Sequence, residues 1–143
     1  MRVDVEHLEK VKFSIKARKH VILCDQSIED GGGDEGMTPP ELLLASLASC
    51  AGYYAAQYLS SRKLATSGTQ VTVTADKVRH PSRLDNFKID VTVPVALTAD
   101  QLTGIERAVH LCLVHNTLLA TPAITTTVKT REGVEAEMAV SAV

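Results

Sequence analysis

Between Leu42 and Ser61 the chain runs without a charged residue, and no other stretch constrains the fold as much. Its start is sharply specified. Thr38-Pro39-Pro40-Glu41 supplies a capping threonine, two prolines that need no amide partner in a first helical turn, and a glutamate at the third helical position, together a capping box. The spacing predicts one helix from Thr38 to about Lys63, ending before Thr66-Ser67-Gly68. The run is long enough to cross a bilayer. It nevertheless carries Ser46, Ser49, Gln57, Ser60 and Ser61, and much of its apolar content is alanine. Those residues favour a core helix buried on every side. Ala48, Gly52 and Ala56 recur every four residues, a strip that lets another helix approach closely. A chain of 143 residues has little else with which to cover such a helix, so a homodimer that packs two copies together is expected.

Around this helix the pattern changes period. Phe13 and Ile15 alternate with Lys12, Ser14 and Lys16, and His20-Val21-Ile22-Leu23-Cys24 follows across a turn at Arg18-Lys19, giving two strands. An acidic, glycine-rich loop from Glu29 to Gly36 leads into the helix. Thr69–Ala75 and Phe87–Val93 alternate with period two and read as an antiparallel pair, with His80-Pro81-Ser82 in the connection. A second capping box, Thr98-Ala99-Asp100-Gln101, opens a helix with Ile105, Ala108, Val109 and Cys112 on one stripe, loosening near Asn116. Ala123–Lys129 is a last strand before a charged tail. With no repeat and no linker, the order β-β-α-β-β-α-β predicts one α+β domain over residues 1–143 with mixed or antiparallel sheet.

Composition removes several function classes. The net charge is −2 and aromatics are 3% of the chain, so neither a counterion-releasing basic face nor a base-stacking surface for nucleic acid is present. Met1-Arg2-Val3-Asp4-Val5-Glu6 shows no apolar signal core, and a cytoplasmic protein without a membrane partner is expected. The three cysteines, Cys24, Cys50 and Cys112, are an odd set with no C-x-x-C, which argues against a secreted disulfide framework and leaves room for reactive thiols.

Cys50 lies mid-helix in the stripe Leu43, Leu47, Cys50, Tyr54 and Tyr58, where a cysteine often serves only as a small hydrophobe. Cys112 ends an apolar stripe of its own. Two such thiols on different helices can also form a redox pair, one oxidised to a sulfenic acid and the other resolving it. Cys50 sits too far inside its helix for the N-terminal dipole to activate it. It needs a nearby cation, and Arg18-Lys19-His20 is the candidate source. A Cys112 near a helix C-terminus suits a resolving thiol better than an attacking one. Cys24 closes a strand and reads as buried and inert.

The run Gly36-Met37-Thr38-Pro39-Pro40-Glu41-Leu42-Leu43-Leu44-Ala45-Ser46-Leu47-Ala48-Ser49-Cys50 resembles the hallmark of the OsmC/Ohr family, the osmotically inducible and organic-hydroperoxide-resistance proteins. Arg18-Lys19-His20 followed by Asp25-Gln26 and the glycine-rich loop is similar to that family too. So is the second cysteine in Cys112-Leu113-Val114-His115-Asn116-Thr117-Leu118. The resemblance runs from about Phe13 to Lys129. It implies an intertwined α+β homodimer, sheets wrapped around central helices, with active sites at the subunit interface. It also implies a thiol-dependent peroxidase reducing organic hydroperoxides, with Cys50 attacking, Cys112 resolving through an intramolecular disulfide, and Arg18 stabilising the thiolate. A dithiol, such as that of a lipoylated protein, would restore the enzyme, and no metal, flavin or haem is implied.

Two departures stand out. The family's hydroperoxide reductases place a glutamate ten residues before the reactive cysteine, where this chain has Pro40. Glu41, the remaining candidate for that catalytic role, is nine residues before Cys50, which in a regular helix is half a turn out of phase and roughly 13 Å along the axis. Its capping role is the safer reading, and the pattern resembles the OsmC-like branch more than the core reductases. Where the family carries proline and serine after the second cysteine, this chain has Leu113 and His115. These departures support an alternative, a non-catalytic dimer binding a small lipophilic molecule or a reactive sulfur species in an apolar interface pocket. Leu43, Leu47, Tyr53 and Tyr54 are the candidate lining of that pocket.

Other sites are weaker. Asp30, Asp34 and Glu41 match three calcium-loop positions, but Gly32 and Glu35 fall where a ligand and a glycine are needed. The glycines lack the Gly-Lys-Ser/Thr of a phosphate loop. His110, Cys112 and His115 could be three zinc ligands, although solvated histidines at a helix end are far commoner. Cys112 with His115 as a cysteine hydrolase lacks an identifiable orienting partner.

Overall fold

The computed structural model describes residues 1–120 and 122–130, and the backbone of 135–140. Strands β1 (Asp4–Glu9), β2 (Lys12–Ala17) and β3 (His20–Cys24) precede helix α1 (Pro39–Ser61). Then come β4 (Gln70–Arg79), β5 (Ser82–Thr92), α2 (Ala99–Val109), α3 (Leu113–Leu119), β6 (Ile124–Lys129) and β7 (Glu135–Val140). The fold is α+β, and its sheets are three antiparallel sets: β1-β2-β3, β4-β5 and β6-β7.

The helix starts follow the capping chemistry. At α1 the Glu41 carboxylate accepts from the Thr38 N–H at 2.7 Å and from its Oγ1 at 2.8 Å. At α2 the Gln101 side chain accepts from the Thr98 N–H at 2.9 Å, while Thr98 Oγ1 accepts from the Gln101 N–H at 3.3 Å. The differences from sequence expectation lie elsewhere. A strand, β1, precedes the expected pair, β4 and β5 run on to the His80-Pro81 turn, and the charged tail contains β7. The second helix breaks after Val109, so that Cys112 belongs to a separate short helix.

Burial of α1 is one-sided within the chain. Leu47, Ala51, Ala55 and Leu59, spaced by four residues, are buried, whereas Ser46, Ser49, Tyr53, Gln57 and Ser60 form an exposed stripe. The expectation of a helix buried all round is therefore corrected for the single chain. The four-residue period fills one face only, and the serines and glutamine occupy the other. Gly52 also departs from the helix-contact reading. It faces β4, where a Cβ would lie 3.4 Å from Val71 Cγ2. Ala51, Ala55 and Leu59 pack with Ile105 and Val109 of α2, and Val71, Ile89 and Val91 of the β4-β5 pair close the cluster.

The close approach of α1 and α2 depends on a glycine. A Cβ on Gly104 would collide with the Tyr58 phenol ring, over which the Arg62 guanidinium also sits, 3.6 Å from the ring centroid. Gly104→Ala is expected to cost about 1–3 kcal/mol through overpacking, outweighing the better helix propensity of alanine. Gly52→Ala, which meets an ordinary contact, should be neutral or slightly stabilising. Urea midpoints of the two variants test this, and equal midpoints would refute the packing assignment.

Candidate active site

The thiol site forms where α2 stops. The α2 chain turns through His110, with the Leu111 N–H on Ala108 O and the Cys112 N–H on Val109 O, both 3.0 Å. Cys112 is then the N-cap of α3: its Sγ accepts from the His115 N–H at 3.4 Å and its carbonyl from the Asn116 N–H at 3.0 Å. The residue is fully buried. This corrects the placement of Cys112 near a helix C-terminus. The continuous apolar stripe concealed the break, because no glycine or proline marks it and a cysteine is a weak cap.

Cys50, half-buried beside Leu47 and Ala51 of α1, faces this turn. Both sulfurs are free thiols and interact directly. Burial opposes ionisation of Cys50, but hydrogen bonds from the Cys112 thiol and from the Val114 and Leu113 amides outweigh it and hold Cys50 below the ordinary thiol pKa. Cys112 moves the other way. Burial pushes it up, and its donation to Cys50 adds to that shift. Cys24, buried beside Asp25, is also raised, by desolvation and then by the carboxylate. Of the three thiols, the geometry thus lowers Cys50 alone.

The other sequence candidates lie apart. Arg18 occupies the β2-β3 turn with φ 56°, in a sheet that makes no extensive contact with the helices. Among the described residues no cation acts on Cys50. Within one chain the amides of α3 take the place expected for Arg18, Lys19 or His20. Glu41 is spent on Thr38, whose hydrogen bonds draw its carboxyl below the usual range. Asp30 accepts from Ser27 Oγ at 2.9 Å. Among the described residues no three His, Cys, Asp or Glu side chains converge as a metal site.

Leu43 and Leu47 do line a cavity, of about 540 Å³, with Leu84, Asp85, Asn86, Phe87 and Ile89 of β5 and His115, Leu118 and Leu119 of α3. Tyr53 and Tyr54, expected in the same lining, are not part of it. They pack edge-to-face on each other, 5.2 Å between centroids, and Tyr53 is 61% exposed. A second cavity of about 370 Å³ between β5 and α2 shares Ile89 and His115 with the first. The His115 ring stacks on His110 at 5.2 Å, and its buried Nδ1 has no hydrogen-bond partner among the described residues. The sequence points to His115 as a metal or hydrolase candidate and as a departure from the family pattern after the second cysteine, not as a cavity residue. Its position one turn after Cys112 was the available signal for a place beside the thiols.

The profile of OsmC-like proteins matches residues 31–128, more than half of the chain. The chain belongs to the OsmC-like family. Solved structures share the family fold. A Psychrobacter arcticus protein provisionally described as an osmotic stress induced and detoxification response protein superposes with a TM-score of 0.74 at 21% identity, covering 80% of this chain and 85% of that one. An OsmC like protein from Mycoplasma pneumoniae gives 0.68 at 18%, covering 83% and 86%. An organic hydroperoxide resistance protein OsmC from Legionella pneumophila gives 0.58 at 14%, covering 83% and 88%. A comparison with curated proteins returns no match. Among the described residues no helix is long and apolar enough to cross a membrane.

Because only Cys50 is lowered, iodoacetamide should modify it first. Its half-maximal pH should fall below the ordinary thiol value of about 8.5, with Cys24 and Cys112 above it. Cys112→Ala removes one donor and should move the Cys50 profile to higher pH. Peptide mass mapping across a pH series reads both effects, and earlier alkylation of Cys112 would overturn the assignment.

Proposed function

We propose that this OsmC-like chain is a cytoplasmic, thiol-dependent peroxidase that reduces organic hydroperoxides. The observation that carries the proposal is that α3, capped by the buried Cys112, packs on α1, with the Cys112 thiol and the Leu113 and Val114 amides holding the Cys50 thiol below its ordinary pKa. The Cys50 thiolate attacks a peroxide oxygen, forming an S–O bond as the O–O bond breaks. The alkoxide leaves with a proton as the alcohol, and the sulfur becomes a sulfenic acid. Cys112 then attacks that sulfur, forming the disulfide as water leaves. An external dithiol, for example on a lipoylated protein, restores both thiols by exchange and ends as its own disulfide. The amides that favour the starting thiolate are fixed before the reaction, so they cost no reorganisation. Glu41 holds the start of α1 and takes no part.

The reduced protein treated with one equivalent of cumene hydroperoxide should become two hydrogen masses lighter, with a peptide linking Cys50 to Cys112. Cys50→Ser should not react. An unchanged mass, or overoxidation without a crosslink, would overturn the mechanism in favour of ligand binding alone.

The reading includes a homodimer. Val5, Leu8, Val21, Ile22 and Leu23 of β1 and β3 are exposed in the single chain, as is Tyr53 on the open face of α1. Covering apolar surface of this kind is what drives stable association. In this reading Arg18 of one protomer acts on Cys50 of its partner. Sedimentation should give about twice the 15.4 kDa chain mass. Arg18→Ala and Cys50→Ser proteins, each impaired alone, should regain peroxide turnover when mixed and refolded together. A monomer, or no recovery in the mixture, would refute the shared site.

A further inference from the structure

His115 stands in the wall common to both cavities, in the first turn of α3 beside the amides that meet Cys50. Its Nδ1 is buried and has no hydrogen-bond partner among the described residues. A neutral imidazole carries a single N–H, and placing it on Nε2 avoids burying an unpartnered donor. The larger cavity is otherwise lined by leucines, Phe87 and Ile89, with Asp85 and Asn86 already engaged: Asp85 accepts from Arg83 at 2.6 Å and from the Asn86 N–H at 3.0 Å, and Asn86 Nδ2 donates to Asp76 at 2.9 Å. Its volume suits a small organic molecule. Such a pocket accepts an apolar body and leaves one hydrogen-bonding head to be recognised.

We propose that this cavity binds an uncharged organic molecule with an apolar body and a single hydroxyl or hydroperoxyl head, and that the Nε2 edge of His115 donates the hydrogen bond that selects the head. The binding claim stands without the peroxidase reading. That reading adds only that the head is the peroxide and, after turnover, the alcohol. Imidazole thus acts as a specificity-determining group beside the thiols. Its stacking on His110, with rings inclined by 20°, holds its plane in place.

The test uses Cys50→Ser protein, which removes the proposed thiol chemistry, with 2-phenylpropan-2-ol and the hydrocarbon isopropylbenzene as probes. Dissociation constants come from NMR titration of resonances around the cavity. With His115 present the alcohol should bind more tightly than the hydrocarbon, with shifts at Leu43, Leu84 and Phe87. His115→Phe keeps a ring but loses the donor. It should weaken the alcohol about 5- to 20-fold, as loss of one hydrogen bond does, and leave the hydrocarbon unchanged. His115→Gln, which carries an amide donor to a similar reach, should restore most of the preference. Equal alcohol affinity in His115→Phe, or shifts elsewhere in the protein, would overturn the proposal. A His115-dependent preference in a protein that forms no Cys50–Cys112 disulfide would sink the peroxidase reading alone. The disulfide forming without that preference would sink this one alone.

Discussion

The contact between Gly104 and the Tyr58 ring governs how closely α2 lies on α1, and the thiol pair inherits that separation. Ile105 and Val109 reach Ala51, Ala55 and Leu59 only because no side chain stands between the helices at position 104. Once α2 is seated, its end is fixed relative to Cys50. The three residues from His110 to Cys112 then turn the chain so that α3 begins with its free amides toward the sulfur. A change of a few tenths of an ångström in the helix packing would therefore be felt as a change in the surroundings of the Cys50 sulfur. Close-packed interiors transmit such displacements instead of absorbing them.

The three cysteines compare burial with hydrogen bonding inside one protein. Desolvation opposes ionisation at each of them. At Cys24 an adjacent carboxylate adds to it, and the thiol is raised. At Cys112 the amides of His115 and Val114 act in the opposite direction, but the residue is fully buried and lends its own proton to Cys50. Only Cys50 receives more donors than burial can offset. The asymmetry distinguishes the two sulfurs, since Cys50 ionises more readily than an ordinary thiol and Cys112 less readily. Among the described residues the Cys112 thiol and two backbone amides lower Cys50 without a cation, although Arg18 lies apart in the β2-β3 turn.

Much of this was legible in the sequence, for identifiable reasons. The start of α1 was readable because Thr38, two prolines and Glu41 act locally, and β2, β4 and β5 because alternation reports a half-buried strand, whereas β3 was read from the apolar run His20–Cys24 after the Arg18-Lys19 turn. β1 was missed since its residues are exposed on both faces, which erases the alternation. The α2-α3 break was missed because Leu111 and Leu113 continue an apolar pattern through it, and its cap is a sulfur. That single omission had the largest consequence. It reversed the helix end at which Cys112 sits and hid the amides of Leu113 and Val114, the groups that lower Cys50. Pairing of Cys50 with Cys112 rested on a resemblance to known proteins, since no periodicity relates residues on separate helices. Tyr53 shows the limit of a helical wheel, for proximity to Cys50 along α1 did not decide which side of the helix faces the cavity.

The glycine-rich loop supplies the remaining constraint on α1. A loop of this composition can cradle an anion with its amides, but here the anion is internal. Burial opposes ionisation of Asp25, yet the amides of Gly33, Gln26 and Glu35, with Lys12 nearby, hold its carboxyl below the usual range. Gly32 and Gly36 are required by close approach, since a Cβ at either would strike the carbonyls of Gln26 or Leu23. Lys12 closes the outside through Glu35 at 2.6 Å and Glu9 at 3.0 Å. The loop so formed ends at Met37, which bridges to Cys24 immediately before the Thr38 cap. The first turn of α1 is thus tied to the end of β3, while its middle is fixed by α2. A helix held at both places has little freedom to slide along its axis, and sliding is the motion that would carry Cys50 past the Leu113 and Val114 amides. Asp25, far from the thiols in function, is in this sense part of what keeps their geometry.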